Sequence, residues 1–174
     1  MCIDKKHFHL IIITYIKSMF MIGAIGMRLS AKGRYALTAM IGLAQHYGTG
    51  QYTTVLSISE RFGISKIYLE QVFSLLKRSG VITSVKGASG GYQLDRSPKN
   101  ITLYDILSAV ELMLFEQNDA TVPETAPEIE KTLNNAVYDK LDSALRSTMQ
   151  EITLEQLMQE AEQNKSDNSL MFYI

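Results

Sequence analysis

The chain has 174 residues, of which 46% are apolar and 20% are charged, a composition typical of one globular domain or of one small domain with an added arm. Eleven glycines and three prolines exclude a collagen-like or low-complexity chain, and a single cysteine, Cys2, excludes an intrachain disulfide scaffold. The formal net charge of −1 gives by itself no indication of a nucleic-acid partner.

The charges are unevenly distributed along the chain. Residues 1–26 carry a net charge of +2, residues 27–100 combine ten Lys or Arg with three Asp or Glu to reach +7, and residues 101–174 reach −10. A basic part followed by an acidic part indicates an anion-binding module joined to a part with another role. We divide the chain into an apolar extension (1–26), a basic domain (27–100), a region of two helices (101–152) and a C-terminal helix with a tail (153–174).

The apolar extension has a different character from the rest of the sequence. Its run LIIITYIKSMFMIGAI, residues 10–25, carries Lys17 near its centre and is shorter than the about 20 apolar residues of a membrane-spanning helix. Three interpretations stay open: a native translation start at Met27, which we favour, a signal or membrane segment, and a packed helical arm.

The sequence contains no convincing catalytic or metal-binding set. The histidines lie at positions 7, 9 and 46, and none accompanies a recognisable nucleophile or phosphate-binding loop. Cys2, His7 and His9 could ligate a metal, but no fourth ligand follows at a recognised spacing, so we expect no metal site and no enzymatic activity.

Apolar residues recur at helical spacing in three successive segments of the basic domain. The first predicted helix covers about residues 30–47, with Ser30 as its N-cap. A short second helix ends at Gly63, and a third begins after Ser65 and ends before Gly80. This order is typical of a helix-turn-helix, whose second helix inserts its N-terminal end into the major groove. The third helix has an apolar stripe of Tyr68, Leu69, Val72, Phe73, Leu75 and Leu76 and an exposed side of Lys66, Ile67, Glu70, Gln71 and Ser74.

Two short strands are predicted after the third helix, at residues 81–85 and 91–94. The connection between them, KGASGG, is rich in glycine and begins with Lys86. A hairpin of this kind following a helix-turn-helix is typical of a DNA-binding wing, because glycines allow the backbone to approach phosphates and a cation is attracted to the minor groove. The basic domain is therefore predicted to bind double-stranded DNA.

Two stretches of the basic domain resemble the Rrf-two (Rrf2) family of bacterial transcriptional regulators: MRLSAKGRYALTAM, residues 27–40, and SISERFGISKIYLEQVFSLLKRSGVITSVKGASGGYQL, residues 57–94. The resemblance extends to about Leu114. It implies a winged helix-turn-helix domain, a dimer formed through a long helix, and operators with inverted-repeat character. The expected fold class is mainly α with a small β wing and a long C-terminal dimerisation helix.

The resemblance also completes the set of candidate DNA-binding residues. It places the start of the recognition helix at Ser65, with Tyr68, Glu70 and Gln71 on the DNA-facing side. Together with the cations of the first helix and the wing, the candidates are Lys32, Arg34, Tyr35, Ser65, Lys66, Ile67, Tyr68, Glu70, Gln71, Lys86, Gly87, Gly90, Gly91 and Tyr92.

The chain departs from the family pattern at three places. Lys86 stands where arginine is common, so a bidentate wing contact is in doubt, and Ile67 stands where some relatives have serine. Relatives that bind an iron–sulfur cluster have three cysteines near residues 116–127, whereas this chain has none after Cys2. We therefore expect no cofactor, and the signal to be a small metabolite or a regulatory protein partner.

The acidic half is predicted to be helical. Thr102 caps a helix that extends to about Leu114, residues 116–127 form a polar loop, and a helix of about 22 residues begins at Glu128. This long helix has an apolar seam, which the resemblance identifies as the dimer interface: Ile129, Leu133, Val137, Leu141, Leu145 and Met149. Thr153 caps a final helix that ends near Gln163.

The function that we expect is that of a dimeric, cytoplasmic DNA-binding regulator, more specifically a repressor. Two alternatives are kept. One is a protein-binding adaptor that retains the winged-helix fold without operator recognition, and the other is a membrane-tethered sensor that uses residues 8–26.

Overall fold

The computed structural model describes residues 29–87, 89–112 and 126–170, with side chains up to residue 166. Residues 1–26 and 113–125 are not among the described residues. The predictions for the apolar extension, for the predicted end of the helix near Leu114 and for most of the loop at 116–127 therefore fall outside the described part of the chain. No helix within the described ranges combines the length and the apolar content needed to cross a membrane. In chain order the elements are α1 (Ala31–Ala44), α2 (Val55–Phe62), α3 (Lys66–Arg78), β1 (Ile82–Val85), β2 (Gly91–Leu94), a 3-10 turn (Pro98–Asn100), α4 (Leu103–Val110), α5 (Pro127–Leu133), a π-helical turn (Asn134–Tyr138), α6 (Asp139–Glu151) and α7 (Leu154–Leu170).

The helix-turn-helix forms as the sequence predicts. Gly63 ends α2 in the left-handed conformation, with φ of 65°, which residues with a Cβ adopt only at a cost. The turn is fixed by Ser59, whose hydroxyl donates a hydrogen bond of 2.6 Å to the carbonyl of Ile64. Ser65 occupies the N-cap position of α3, but its side chain makes no capping hydrogen bond. Both helices are consequently oriented by the turn and by their buried faces.

The wing is anchored to the core at its base. β1 and β2 pair antiparallel, from Ile82 opposite Leu94 to Val85 opposite Gly91. A third segment, in the stretch between α1 and α2, joins them: Thr53 exchanges backbone hydrogen bonds of 2.9 and 2.8 Å with Tyr92.

The hydrophobic core lies between α1, α3, α4, the base of the wing and the start of α7. The edge of the Tyr92 ring contacts Phe73 of α3, with ring centroids 4.7 Å apart and planes inclined by 68°. Leu154 is fully buried, and its amide donates to the carbonyl of Ile101 at 2.8 Å. The first turn of α7 thus belongs to the same core as the winged domain.

An arginine connects α6 with α4. Arg146 donates to the carboxylate of Asp142 at 2.6 Å and to the hydroxyl of Tyr104, and its guanidinium lies 5.4 Å from the centre of the Tyr104 ring. The hydrogen bond that Arg146 donates to Asp142 raises the pKa of Arg146, which keeps this guanidinium charged. The helical stretch from α5 to α6 is thereby attached, through its C-terminal half, to the winged domain.

The structure differs from the sequence prediction at several helix ends and in the burial of one side chain. α1 ends at Ala44, before residue 47, because His46 and Tyr47 bond to carbonyls three residues back and tighten into a turn. α4 ends at Val110, and α7 continues to Leu170, beyond Gln163. Thr102 caps α4 as predicted, in a capping box with Asp105. Tyr68, predicted in the apolar stripe of the third helix, is exposed.

Candidate nucleic-acid interface

The start of α3 presents a side that the core does not cover. Leu69, Val72 and Phe73 are fully buried, whereas Ile67 is 70% exposed and Tyr68 is 52% exposed. The predicted DNA-facing residues Lys66, Glu70 and Gln71 are also exposed. Because side chains that are three or four residues apart lie on the same side of a helix, these residues form one continuous surface, which we call the α3 face.

Glu70 is paired with Lys66 on this surface. The Lys66 Nζ lies 3.7 Å from the Glu70 Oε1, and both side chains are more than half exposed. Exposed pairs at this spacing are worth about 0.3–0.5 kcal/mol, and lysine preceding glutamate is the weaker order. Separating Lys66 from the Glu70 carboxylate therefore costs little free energy.

Tyr68 is supported from the neighbouring helix. The rings of Tyr35, on α1, and Tyr68 meet edge to face, with centroids 6.0 Å apart and planes inclined by 72°. Tyr35 is itself half-buried against the core. The contact with Tyr35 supports the exposed ring of Tyr68 within the α3 face, and contact of Tyr35 itself with DNA stays a prediction.

The first turns of α1 carry two of the candidate DNA-binding cations, Lys32 and Arg34. Ser30 caps this helix as predicted, because its hydroxyl accepts a hydrogen bond of 3.1 Å from the amide of Gly33. Lys32 is half-buried and Arg34 is exposed, and neither forms an ion pair with a described residue. The amide of Ser30 donates a hydrogen bond of 3.0 Å to the carboxylate of Glu111, a contact that no local pattern in the sequence predicts.

The wing tip contains the last group of candidates. Lys86 is exposed, and Gly87 has φ of +126°, a conformation that favours glycine. A Cβ on Gly90 would lie 2.2 Å from the carbonyl oxygen of Val85, and one on Gly91 would lie 2.9 Å from the carbonyl oxygen of Thr53. Packing inside the wing therefore explains these two glycines, and their contact with DNA stays a prediction, as does that of the half-buried Tyr92.

The predicted dimer seam divides into an uncovered and a covered part. Ile129 is 50% exposed and Leu141 is 65% exposed, whereas Met149 is only 2% exposed and is packed within its own chain. A four-residue spacing drifts by about 40° per step around a helix of 3.6 residues per turn, so a seam of this spacing rotates around the helix. Leu133 and Leu145 are half-buried, and Val137 lies in the π-helical turn.

The comparisons with known proteins agree with this architecture. Residues 29–160 match the protein family described as Rrf2: Iron-dependent Transcriptional regulator. The chain belongs to the Rrf2 family. It is 40% identical over 139 residues to the HTH-type transcriptional regulator IscR of Xenorhabdus nematophila, a match that covers 78% of this chain and 82% of that protein. IscR of Klebsiella pneumoniae (strain 342) is 39% identical over the same shares of the two chains.

Solved structures of Rrf2 relatives have the same fold. IscR of T. potens superposes with a TM-score of 0.62 at 34% identity, covering 82% of this chain and 93% of that one. CymR (YrzC), the global cysteine regulator of B. subtilis, gives a TM-score of 0.62 at 31% identity, covering 78% and 98%. The chain is a mainly α winged-helix protein of a family of transcriptional regulators, which confirms the fold class and the family expected from the sequence.

The description of the Rrf2 family names iron, and an iron site needs ligand atoms from the protein. The ligands of an iron–sulfur cluster are cysteine thiolates. Cys2 is the single cysteine of the sequence and lies outside the described residues. Within the described ranges no three His, Cys, Asp or Glu side chains converge on a possible metal position. A thiolate-ligated cluster does not fit the part of the chain that matches the family.

Proposed function

We propose that this chain is a sequence-specific DNA-binding repressor, in which α3 reads the bases while α1 and the wing hold the phosphate backbone. The observation that carries the proposal is the α3 face, an uncovered group of polar and aromatic side chains at the N-terminal end of the second helix of a helix-turn-helix. This is the end of the helix that enters the major groove in such motifs. The net charge of +7 over residues 27–100 supports it.

The individual roles follow from side-chain chemistry. Glu70, after releasing Lys66, accepts a hydrogen bond from a cytosine amino group, and Gln71 offers the amide that suits adenine. Ile67, which is 70% exposed, fits a thymine methyl. Lys32 and Arg34 contact phosphates, which sets the register of α3 without reading sequence.

The active form in this proposal is a homodimer, joined through the uncovered part of the seam on α5 and α6. Ile129, Val137 and Leu141 are 50%, 39% and 65% exposed and so leave apolar surface open to a partner. Pairing with a second copy across a two-fold axis buries that surface and presents two copies of α3 to the two halves of an inverted repeat. Arg146, on α6, donates a hydrogen bond to Tyr104, so the helix of this interface is connected to α4.

The regulatory signal in this proposal is a small metabolite or a protein partner, because the chain lacks the thiolates of a cluster-sensing relative. We place the protein in the cytoplasm, where bacterial DNA is accessible, and assign it no enzymatic activity. Addition of a candidate metabolite to the protein–DNA complex, followed by a shift in affinity, tests this part of the proposal.

Selection from a random-sequence duplex library tests sequence recognition with the full chain. We expect one enriched motif with inverted-repeat character. Glu70→Ala should relax preference at one base pair by about 1–3 kcal/mol, whereas Lys32→Ala should weaken binding to all duplexes and flatten the salt dependence by about one phosphate contact.

Two results would count against the proposal. Equal, weak and strongly salt-dependent binding to every duplex would instead support the adaptor that retains only the fold. Identical effects of Glu70→Ala and Lys32→Ala on every sequence would reject the division between base reading and phosphate contact. The direction of regulation is tested by a reporter placed behind the selected motif, where loss of the protein should raise expression.

A further inference from the structure

The carboxylate of Glu111 is bonded to the beginning of α1, 81 positions earlier in the sequence. Its Oε1 accepts a hydrogen bond of 3.0 Å from the amide of Ser30, the same residue whose hydroxyl caps α1 by accepting from Gly33. Glu111 is the C-cap residue of α4, and its own amide donates to the carbonyl of Leu107 at 2.8 Å. One hydrogen-bonded chain thus joins the end of α4 to the first turn of α1.

Gly33 makes room for this contact. A Cβ at position 33 would lie 2.3 Å from the Glu111 Oε1, 3.2 Å from its Cδ and 3.3 Å from its Cγ. The φ of Gly33 is not positive, so its backbone conformation does not require glycine. Because glycine in a helix is about 1 kcal/mol less favourable than alanine, close packing of the Glu111 side chain is the reason that the structure offers for glycine here.

The contact lies beside the cations that are assigned to the phosphate backbone. Lys32 and Arg34 belong to the same first turn of α1 that Ser30 caps and Glu111 holds. A carboxylate at a helix N-terminus also interacts favourably with the helix dipole, so the placement of Glu111 is electrostatically favourable.

We propose that Glu111 is a positioning residue for DNA binding, which holds the first turn of α1 against the end of α4 and so sets where Lys32 and Arg34 meet the phosphates. This inference rests on the proposed function. Without the Glu111 carboxylate, the first turn occupies other positions for part of the time. The apparent affinity then falls in proportion to the population of the competent position.

Four full-length variants test the inference: Glu111→Ala, Glu111→Gln, Gly33→Ala and the double variant. The probe is a duplex recovered by selection with the wild-type protein, titrated at several salt concentrations. We expect Glu111→Ala and Gly33→Ala to bind about 3- to 10-fold more weakly, which is the scale of one typical hydrogen bond that is accessible to solvent. The salt dependence should become shallower by about one phosphate contact. Glu111→Gln retains an oxygen that accepts from Ser30 and should restore most of the affinity.

The double variant distinguishes the contact from two unrelated defects. Once Glu111 is replaced by alanine, the added Cβ of Gly33→Ala meets no carboxylate. It should then cause no further loss of affinity and should raise helix stability. Additive losses, unchanged affinity of Glu111→Ala, or tighter binding by both Glu111 variants would overturn the inference, since the last result identifies Glu111 as a charge that repels DNA.

The controls separate this inference from folding and from the proposed function. Glu160→Ala removes the same charge from an exposed position on α7 that has no hydrogen bond or ion pair with a described residue, and should bind as the wild type does. Circular dichroism and thermal unfolding verify that each variant is folded. If the wild-type protein selects no motif, the proposed function fails; if it selects one and Glu111→Ala binds it unchanged, only the role of Glu111 fails.

Discussion

Leu141→Ala should separate the proposed dimer while leaving the protomer folded. Leu141 is 65% exposed on α6, at the C-terminal end of the uncovered seam, so it contributes little to the core of its own chain. Alanine has the highest helix propensity, and the substitution therefore leaves α6 intact. Any large effect must come from contacts that the isolated protomer does not contain.

The magnitude follows from the exposed fraction. Leucine and alanine differ by three carbon atoms, worth about 0.8 kcal/mol each when fully buried, or about 2.4 kcal/mol per side chain. With 65% of the side chain available for burial in a dimer, the loss is about 1.6 kcal/mol per protomer. A two-fold interface contains the residue twice, so the dimer should weaken by about 3 kcal/mol, on the order of a hundredfold in its dissociation constant.

Analytical ultracentrifugation over a series of protein concentrations measures this constant directly. Leu56→Ala provides the matched control, because Leu56 is 52% exposed on α2, away from the seam, and undergoes the same substitution. We expect Leu56→Ala to retain the wild-type constant. A monomeric wild-type protein, or equal dissociation constants for both variants, would refute the assignment of the interface to α5 and α6.

The remaining predictions concern the end of α2 and the start of α4, two elements of the domain that carries the α3 face. Gly63→Ala should lower the free energy of unfolding by about 1–2 kcal/mol, because no atom crowds its Cβ position and only the left-handed φ of 65° opposes a side chain. Gly63→Asn, which tolerates this conformation better, should lose less, and equal losses in urea titrations would contradict the reasoning. Asp105→Ala should cost about 1–2 kcal/mol, because the carboxylate accepts from the Thr102 amide at 2.8 Å and pairs with Arg96 at 2.9 Å. Asp105→Asn, which retains an acceptor for Thr102, should be intermediate at the same protein concentration, and a wild-type unfolding midpoint for Asp105→Ala would exclude the capping role.

Local patterns predicted the helix-turn-helix because its signals are short in range. The spacing of apolar residues gives the buried side of α3, and Gly63 marks the C-cap where the chain turns. Ser30 and Thr102 were recognised as N-caps from their type and position alone. Each of these features depends on neighbours within about four residues, which a single sequence displays in full.

Long-range contacts explain where the structure differs from these local predictions. Tyr68 continues an apolar pattern but is exposed, with its ring in edge-to-face contact with Tyr35 of α1. Met149 has the same spacing as the exposed seam, yet it faces its own domain because a four-residue repeat rotates around the helix. Thr53 lies in a short polar stretch between two helices, and no local pattern there predicts that its backbone pairs with that of Tyr92.

The sequence by itself determined the family, the order of the helices, the wing, the segregation of charge and the lack of cysteine ligands. These properties depend on residue type and local spacing. The tertiary structure alone decided that Glu111 reaches Ser30, that Gly33 leaves space for it, and that Leu154 completes the core of the winged domain. Contacts between residues distant in sequence depend on how helices pack, and the periodicity of one helix contains no information about the helix that it meets.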